Sequence, residues 1–159
     1  MEDSKKNYFT TGQMRNALLQ IEDQMVHSNW MPNIIIGLNR GGLVPAVYLS
    51  HRLNVTHESI TIRLRDNESN SKPDLSNLEK AFAFQKKILI VDDINDSGKT
   101  IGVIKDLSKS LTTKIHFAVL INKSESESKV EYYGKNVNSK ANDYWYVFPW
   151  ENWWKLNEK

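Results

Sequence analysis

Ile88-Leu89-Ile90-Val91-Asp92-Asp93-Ile94-Asn95-Asp96-Ser97-Gly98-Lys99-Thr100 is the stretch that decides the fold. Four consecutive aliphatic residues, Ile88 to Val91, suit a strand buried on both faces of a parallel sheet. Thr100, Ile101, Ile104 and Leu107 then recur at helical spacing. The segment between them leaves the carboxyl end of a strand and enters the N-terminus of a helix. That is where open parallel sheets bind ligands, and where free backbone N–H groups and the helix dipole favour a phosphate. Ser97-Gly98-Lys99-Thr100 suits a phosphate cradle, and the carboxylates before it could accept hydrogen bonds from sugar hydroxyls or hold magnesium through water. A sugar phosphate fits both halves. The plainer alternative is an acidic helix cap after a buried strand. A nucleoside-triphosphate P-loop is set aside, because no glycine precedes Gly98-Lys99 at the required spacing.

Working upstream, Lys86-Lys87 lead into this strand, and before them Asp66 to Asn77 is polar, aperiodic and carries Pro73, reading as a long functional loop. Ile60, Ile62 and Leu64 alternate with Ser59, Thr61 and Arg63, predicting a strand that ends near Arg65. Earlier still, Ile34-Ile35-Ile36-Gly37 predicts a buried strand, and Leu38-Asn39-Arg40-Gly41-Gly42 a tight loop after it. Val44, Val47, Tyr48 and His51 share one face of the following helix, which ends near Leu53. Thr10-Thr11-Gly12-Gln13 resembles a capping box, and Met14, Leu18, Ile21 and Met25 form the stripe of a first helix. Downstream, Ile115 to Ile121 predicts another buried strand and Lys123 to Lys129 a polar turn. The last third of the chain concentrates the aromatic residues. Strand and helix alternate through the middle, so the expectation is a doubly wound, mostly parallel α/β sheet in a single domain spanning 1–159.

The 159 residues suit one domain, and 40% hydrophobic with 25% charged residues is the balance of a globular chain. No apolar run is long enough to span a membrane, and no apolar stretch of signal-peptide length follows Met1 to Lys6, so a cytoplasmic protein is expected. The chain has no cysteine, which excludes disulfides, thiolate metal sites and a cysteine nucleophile. A formal charge of +2, from 21 basic and 19 acidic residues, gives no general attraction for nucleic acid. Any anion site must therefore be local.

With its strand, adjacent acidic pair and phosphate loop, Ile88 to Thr100 resembles the hallmark segment of the type I phosphoribosyltransferases. The resemblance implies that Asp92 and Asp93 contact the ribose hydroxyls of phosphoribosyl pyrophosphate, and that Asp96, Ser97, Gly98, Lys99 and Thr100 hold its 5-phosphate. Gly37 to Ala46 is similar to the family's pyrophosphate loop. Asn39, Arg40 and Gly41 are then expected to bind phosphoribosyl pyrophosphate, with a non-proline cis peptide near Asn39-Arg40. Arg65, and less directly Arg63, would reach the pyrophosphate from the strand leading into a catalytic flap. The family's hypoxanthine-guanine type often carries a Ser-Tyr pair just beyond, where Asp66-Asn67 stand here. The fold implied includes a small hood built from the C-terminal and N-terminal segments, and family members are commonly homodimers or homotetramers.

Two segments resemble those with which the family selects 6-oxopurines. Lys123 follows the strand where such enzymes place a lysine donor to the exocyclic oxygen. Trp145 to Glu151 is similar to the aromatic segment of xanthine-guanine and hypoxanthine enzymes, implying that Trp145 stacks on the base, Tyr146 reads its edge and Glu151 helps Asp92 and Asp93 to position Mg2+. Val147 stands where bacterial xanthine-guanine enzymes carry glutamate, so hypoxanthine, guanine and xanthine stay open as substrates. The implied chemistry is transfer of a 5-phosphoribosyl group to the purine with Asp96 as general base. The alternatives are a non-catalytic regulator that binds phosphoribosyl pyrophosphate, or an enzyme acting on adenine or a pyrimidine.

Overall fold

The computed structural model describes residues 5–62, 75–84, 86–138, 140 and 144–155. Among these, strands β1 (Lys5–Tyr8), β2 (Ile34–Leu38), β3 (Thr56–Ile60), β4 (Ile88–Asn95), β5 (Ile115–Lys123), β6 (Tyr132–Val137) and β7 (Tyr144–Val147) alternate with helices. The α-helices are α1 (Thr11–His27), α2 (Leu43–Leu53), α3 (Ser76–Ala83) and α4 (Lys99–Leu107). Five strands form one sheet in the order β3-β2-β4-β5-β6, and every neighbouring pair is parallel. β1 pairs in parallel with β7 as a separate two-stranded sheet, so the two ends of the chain build the expected hood.

The aliphatic runs become central strands because both faces of the sheet are covered. Ile35, Leu89, Val91, Ala118 and Leu120 pack toward α1 and α2. Their neighbours Ile34, Ile36, Ile88, Ile90 and Phe117 point the other way, against α3 and α4. Helix α1 forms where its stripe predicts. Met14, Leu18, Ile21 and Met25 are buried, and the capping box is closed, with Gln13 N donating to Thr10 Oγ1 at 3.1 Å and Thr10 N to Gln13 Oε1 at 2.7 Å.

The structure corrects some element boundaries. The strand expected over Ser59 to Leu64 lies earlier, at Thr56–Ile60, where β2 supplies its partner through pairs such as Leu38 with Ile60. β3 is an edge strand, so its sequence need not be apolar throughout, and only Ile60 of it is fully buried. Helix α3 takes in Ser76 and Asn77, the last two residues of the expected loop, and Asn77 Nδ2 donates to Ser59 O at 3.1 Å. Most of that loop, with Arg63 and Arg65, lies outside the described residues. Helix α2 buries Pro45, Ala46 and Leu49, which leaves the Val47, Tyr48 and His51 side of it exposed. Lys123 closes β5 rather than opening the turn after it.

Candidate functional site

Because all five strands of the main sheet run the same way, the loops after β2, β4 and β5 leave from one edge. β2 is followed by its neighbour β3 on one side, whereas β4 is followed by β5 on the other. The sheet therefore reverses its winding between β2 and β4, and a crevice opens there. Asn39-Arg40 joins the β2 loop through a cis peptide bond. Asn39 N donates to Ile60 O at 2.9 Å and Asn39 Nδ2 to Thr61 Oγ1 at 2.6 Å, so β3 braces the loop. Gly41 lies directly on Asp93, and a Cβ at that position would collide with the Asp93 carboxylate. Only glycine permits so close an approach.

At the end of β4, backbone groups hold the acidic pair. Asp93 N donates to Asp92 Oδ1 at 2.9 Å, and Ile94 N to Asp93 Oδ1 at 2.7 Å. Burial pushes the Asp92 carboxyl well above its ordinary range, and the charge of Asp93 adds to the effect. Burial, aided by the Glu151 charge and opposed by the Ile94 N–H bond, raises Asp93 to about 6. Two carboxylates held out of water beside a third anion are poised for a cation or for sugar hydroxyls. Next comes Gly98, whose φ of 87° is left-handed, followed by α4. A pocket of about 70 Å³ opens here, lined by Asp92 and by Ile94 through Ile101. The first N–H groups of α4 have no partners within the helix, as at any helix start.

A second cleft, of about 300 Å³, lies between the strand ends and the hood. Its lining includes Asp96 and Lys123 together with the aromatic residues Tyr144, Trp145, Tyr146 and Phe148. Lys123 Nζ sits 2.7 Å from Asp96 Oδ1; the lysine side chain is 14% exposed and the aspartate 65%. Trp145 is 61% exposed, its ring open to the cleft. Burial raises the Tyr146 hydroxyl, and nearby Lys123 partly offsets this. A third cleft, of about 550 Å³, is lined by Arg40, Gly41, Trp150 and Trp154. Asp93 and Glu151 border both larger clefts, joining them into one site. Glu151 Oε2 accepts from Phe148 N at 2.8 Å, and Trp150 stacks on Phe148 with centroids 4.9 Å apart.

A glycine-containing loop entering a helix, an acidic pair and an aromatic cleft with a lysine thus lie side by side at one switch point. Residues 6–154 match the phosphoribosyl transferase domain family. The chain belongs to the phosphoribosyltransferase family. It is similar to the xanthine-guanine phosphoribosyltransferase of Cereibacter sphaeroides, 32% identical over 120 residues that cover 74% of this chain and 68% of the relative. Among solved structures it is similar to a purine phosphoribosyltransferase from Pyrococcus horikoshii, with a TM-score of 0.69, 30% identity, and 93% and 95% of the two chains covered. The xanthine-guanine-hypoxanthine phosphoribosyltransferase of Helicobacter pylori shares the fold at a TM-score of 0.69 and 20% identity, over 96% of each chain.

In this phosphoribosyltransferase the structure gathers Arg40, Gly41, Asp92, Asp93, the Asp96–Thr100 loop, Lys123, Trp145, Tyr146 and Glu151 around connected clefts. Asn39 stands at their margin, its amide turned to Thr61. The metal set expected from Asp92, Asp93 and Glu151 is not a self-contained cage, for among the described residues no three acidic or histidine side chains are grouped to hold a metal ion. Asp92 borders the small pocket at the start of α4, while Asp93 and Glu151 border the larger clefts. Sequence reasoning assigned no part in the site to Phe148, Trp154 or Asn95. No described helix is long and apolar enough to cross a membrane.

Proposed function

We propose that this protein transfers the 5-phosphoribosyl group of phosphoribosyl pyrophosphate to a 6-oxopurine and releases pyrophosphate. The observation that carries the reading is the contact of Lys123 Nζ with Asp96 Oδ1 at 2.7 Å inside the aromatic cleft. An ammonium donor and a carboxylate acceptor side by side match the exocyclic oxygen and neighbouring imidazole N–H of a 6-oxopurine. Adenine would instead turn an amino group, itself a donor, toward the lysine. Trp145 and Tyr146 supply the apolar walls that a flat base requires. The names of the relatives support the same substrate class.

In this mechanism the 5-phosphate lies on Ser97 to Thr100, the ribose hydroxyls bond to Asp92 and Asp93, and the pyrophosphate faces Arg40 and the Asn39–Gly41 backbone; Arg65, expected to reach the pyrophosphate, lies outside the described residues. The bond from C1 to the pyrophosphate oxygen breaks as an imidazole nitrogen of the purine bonds to C1. Asp96 takes the imidazole proton, and the electron pair of the broken bond leaves with pyrophosphate. Asp93 and Glu151 offer only oxygen donors on one cleft, which fits Mg2+ held partly by substrate oxygens, with Asp92 reached through the ribose side. Bound there, Mg2+ would neutralise charge developing on the pyrophosphate. The exposed Leu19, Val47 and Tyr48 offer an apolar surface for a homodimer or homotetramer.

The Lys123→Met variant tests the base assignment. Loss of a charged hydrogen bond to the exocyclic oxygen should lower kcat/KM for hypoxanthine or guanine about 10- to 100-fold, while the KM for phosphoribosyl pyrophosphate changes little. Unchanged discrimination between 6-oxopurines and adenine would contradict the role of Lys123.

A further inference from the structure

We infer that Asn95 is a positioning residue that sets the shape of the phosphate loop through the 124–128 turn, and so governs affinity for phosphoribosyl pyrophosphate. The inference rests on the proposed function, since it assigns the 5-phosphate to Ser97 through Thr100.

Asn95 is the last residue of β4 and only 2% exposed, one of two buried polar side chains among the described residues. Its amide is fully committed. Nδ2 donates to Asn122 Oδ1 at 2.8 Å and to Ser128 O at 2.7 Å, while Oδ1 accepts from Ser126 Oγ at 2.8 Å. Asn122 is its register partner on β5 and passes the pattern on, with Asn122 Nδ2 donating to Asn136 Oδ1 on β6 at 2.8 Å. Three asparagines thus cross the carboxyl edge of the sheet immediately before Asp96 on one strand and Lys123 on the next. The turn that Asn95 grips lies directly against the phosphate loop. Glu127 N donates to Ser97 O at 3.0 Å, and a Cβ on Gly98 would run into Ser126 and the Ser128 backbone.

This buried amide has one geometry, because turning it by 180° would set its oxygen against the Ser128 carbonyl, acceptor against acceptor. The Ser126–Ser128 backbone is therefore fixed against Gly98, which is itself left-handed at φ 87°. The N–H groups of the loop are then aimed before phosphate arrives, and affinity gains because less order remains to be imposed on binding. Leucine at 95 would fill similar space but leave Asn122 Oδ1 without its donor and Ser128 O with only the longer Ser126 Oγ contact at 3.3 Å. The turn would then be free to leave Ser97.

Steady-state kinetics of Asn95→Leu and Ser126→Ala decide the matter, with unfolding followed in the presence and absence of phosphoribosyl pyrophosphate. Asn95→Leu should raise the KM for phosphoribosyl pyrophosphate about tenfold or more, with kcat and the purine KM within about threefold of the parent values. Ser126→Ala removes from a partly exposed side chain the hydrogen bond to Asn95 Oδ1 and the 3.3 Å contact with Ser128 O, and should give a smaller rise of the same kind, about threefold, which keeps the test open if Asn95→Leu does not fold. The stabilisation that phosphoribosyl pyrophosphate confers should shrink in parallel. An unchanged KM for phosphoribosyl pyrophosphate in the folded variants would overturn the inference, as would equal losses for both substrates, the mark of general loosening. If the parent protein itself is not stabilised by phosphoribosyl pyrophosphate, the proposed function fails and this inference with it.

Discussion

Asp93 faces Asp92 beside it on β4 and Glu151 and Arg40 across the crevice, and burial with the Glu151 charge raises its carboxyl to about 6. A carboxyl raised in the folded state contributes stability that is fully present below its ordinary value of 3.8 and is lost as pH rises through about 6. At about 1.4 kcal/mol per tenfold change in proton affinity, that rise costs the protein about 3 kcal/mol at neutral pH. Asp93→Asn keeps the acceptor for Ile94 N and removes the charge. In thermal melts it should raise Tm by several degrees at pH 7.5, with little difference from the parent near pH 4, while binding of phosphoribosyl pyrophosphate is lost. A lower Tm at pH 7.5 would show that the carboxylate is neutralised by its surroundings. Asp96, by contrast, is well exposed and meets Lys123 directly. Asp96→Asn should lower kcat about 100-fold or more, measured with saturating substrates, and near-normal turnover would remove it as the base.

Among the elements, β4 carries the most. Ile90 is buried on the face toward α3 and α4, and Ile90→Ala should cost about 2 to 5 kcal/mol in denaturant unfolding, since the central strand can do little to close the cavity. The elements legible in sequence were those whose local pattern and burial agree: the doubly covered strands at Ile34, Ile88 and Ile115, the stripe of α1, and the loop entering α4. Edge elements were not. β6 has only one well-buried residue, Tyr132, and β1 takes its partner from β7 at the far end of the chain, a pairing that no local pattern encodes. The site divides in the same way. Residues on the β4 loop were legible because one short segment holds them all. The Asn95 network was not, because its partners come from 122, 126 and 128 and meet it only once β5 is paired with β4.

At the scale of the whole molecule, the parallel sheet brings the ends of β2, β4 and β5 to one edge, and the β1–β7 pair holds Trp145 and Tyr146 over them. On the proposed function, the scaffold would hold the sugar phosphate and the hood the base. Membership of the phosphoribosyltransferase family follows from the match over residues 6–154. The choice of base rests on Lys123, Asp96 and two aromatic rings. A regulator built on the same scaffold would keep the cradle and bind phosphoribosyl pyrophosphate without turning it over. The most direct test is pyrophosphate release from phosphoribosyl pyrophosphate and Mg2+ with hypoxanthine, guanine, xanthine or adenine supplied one at a time. Release with at least one 6-oxopurine and not with adenine is the predicted result; release with adenine alone, or tight binding of phosphoribosyl pyrophosphate with no release from any base, would contradict it.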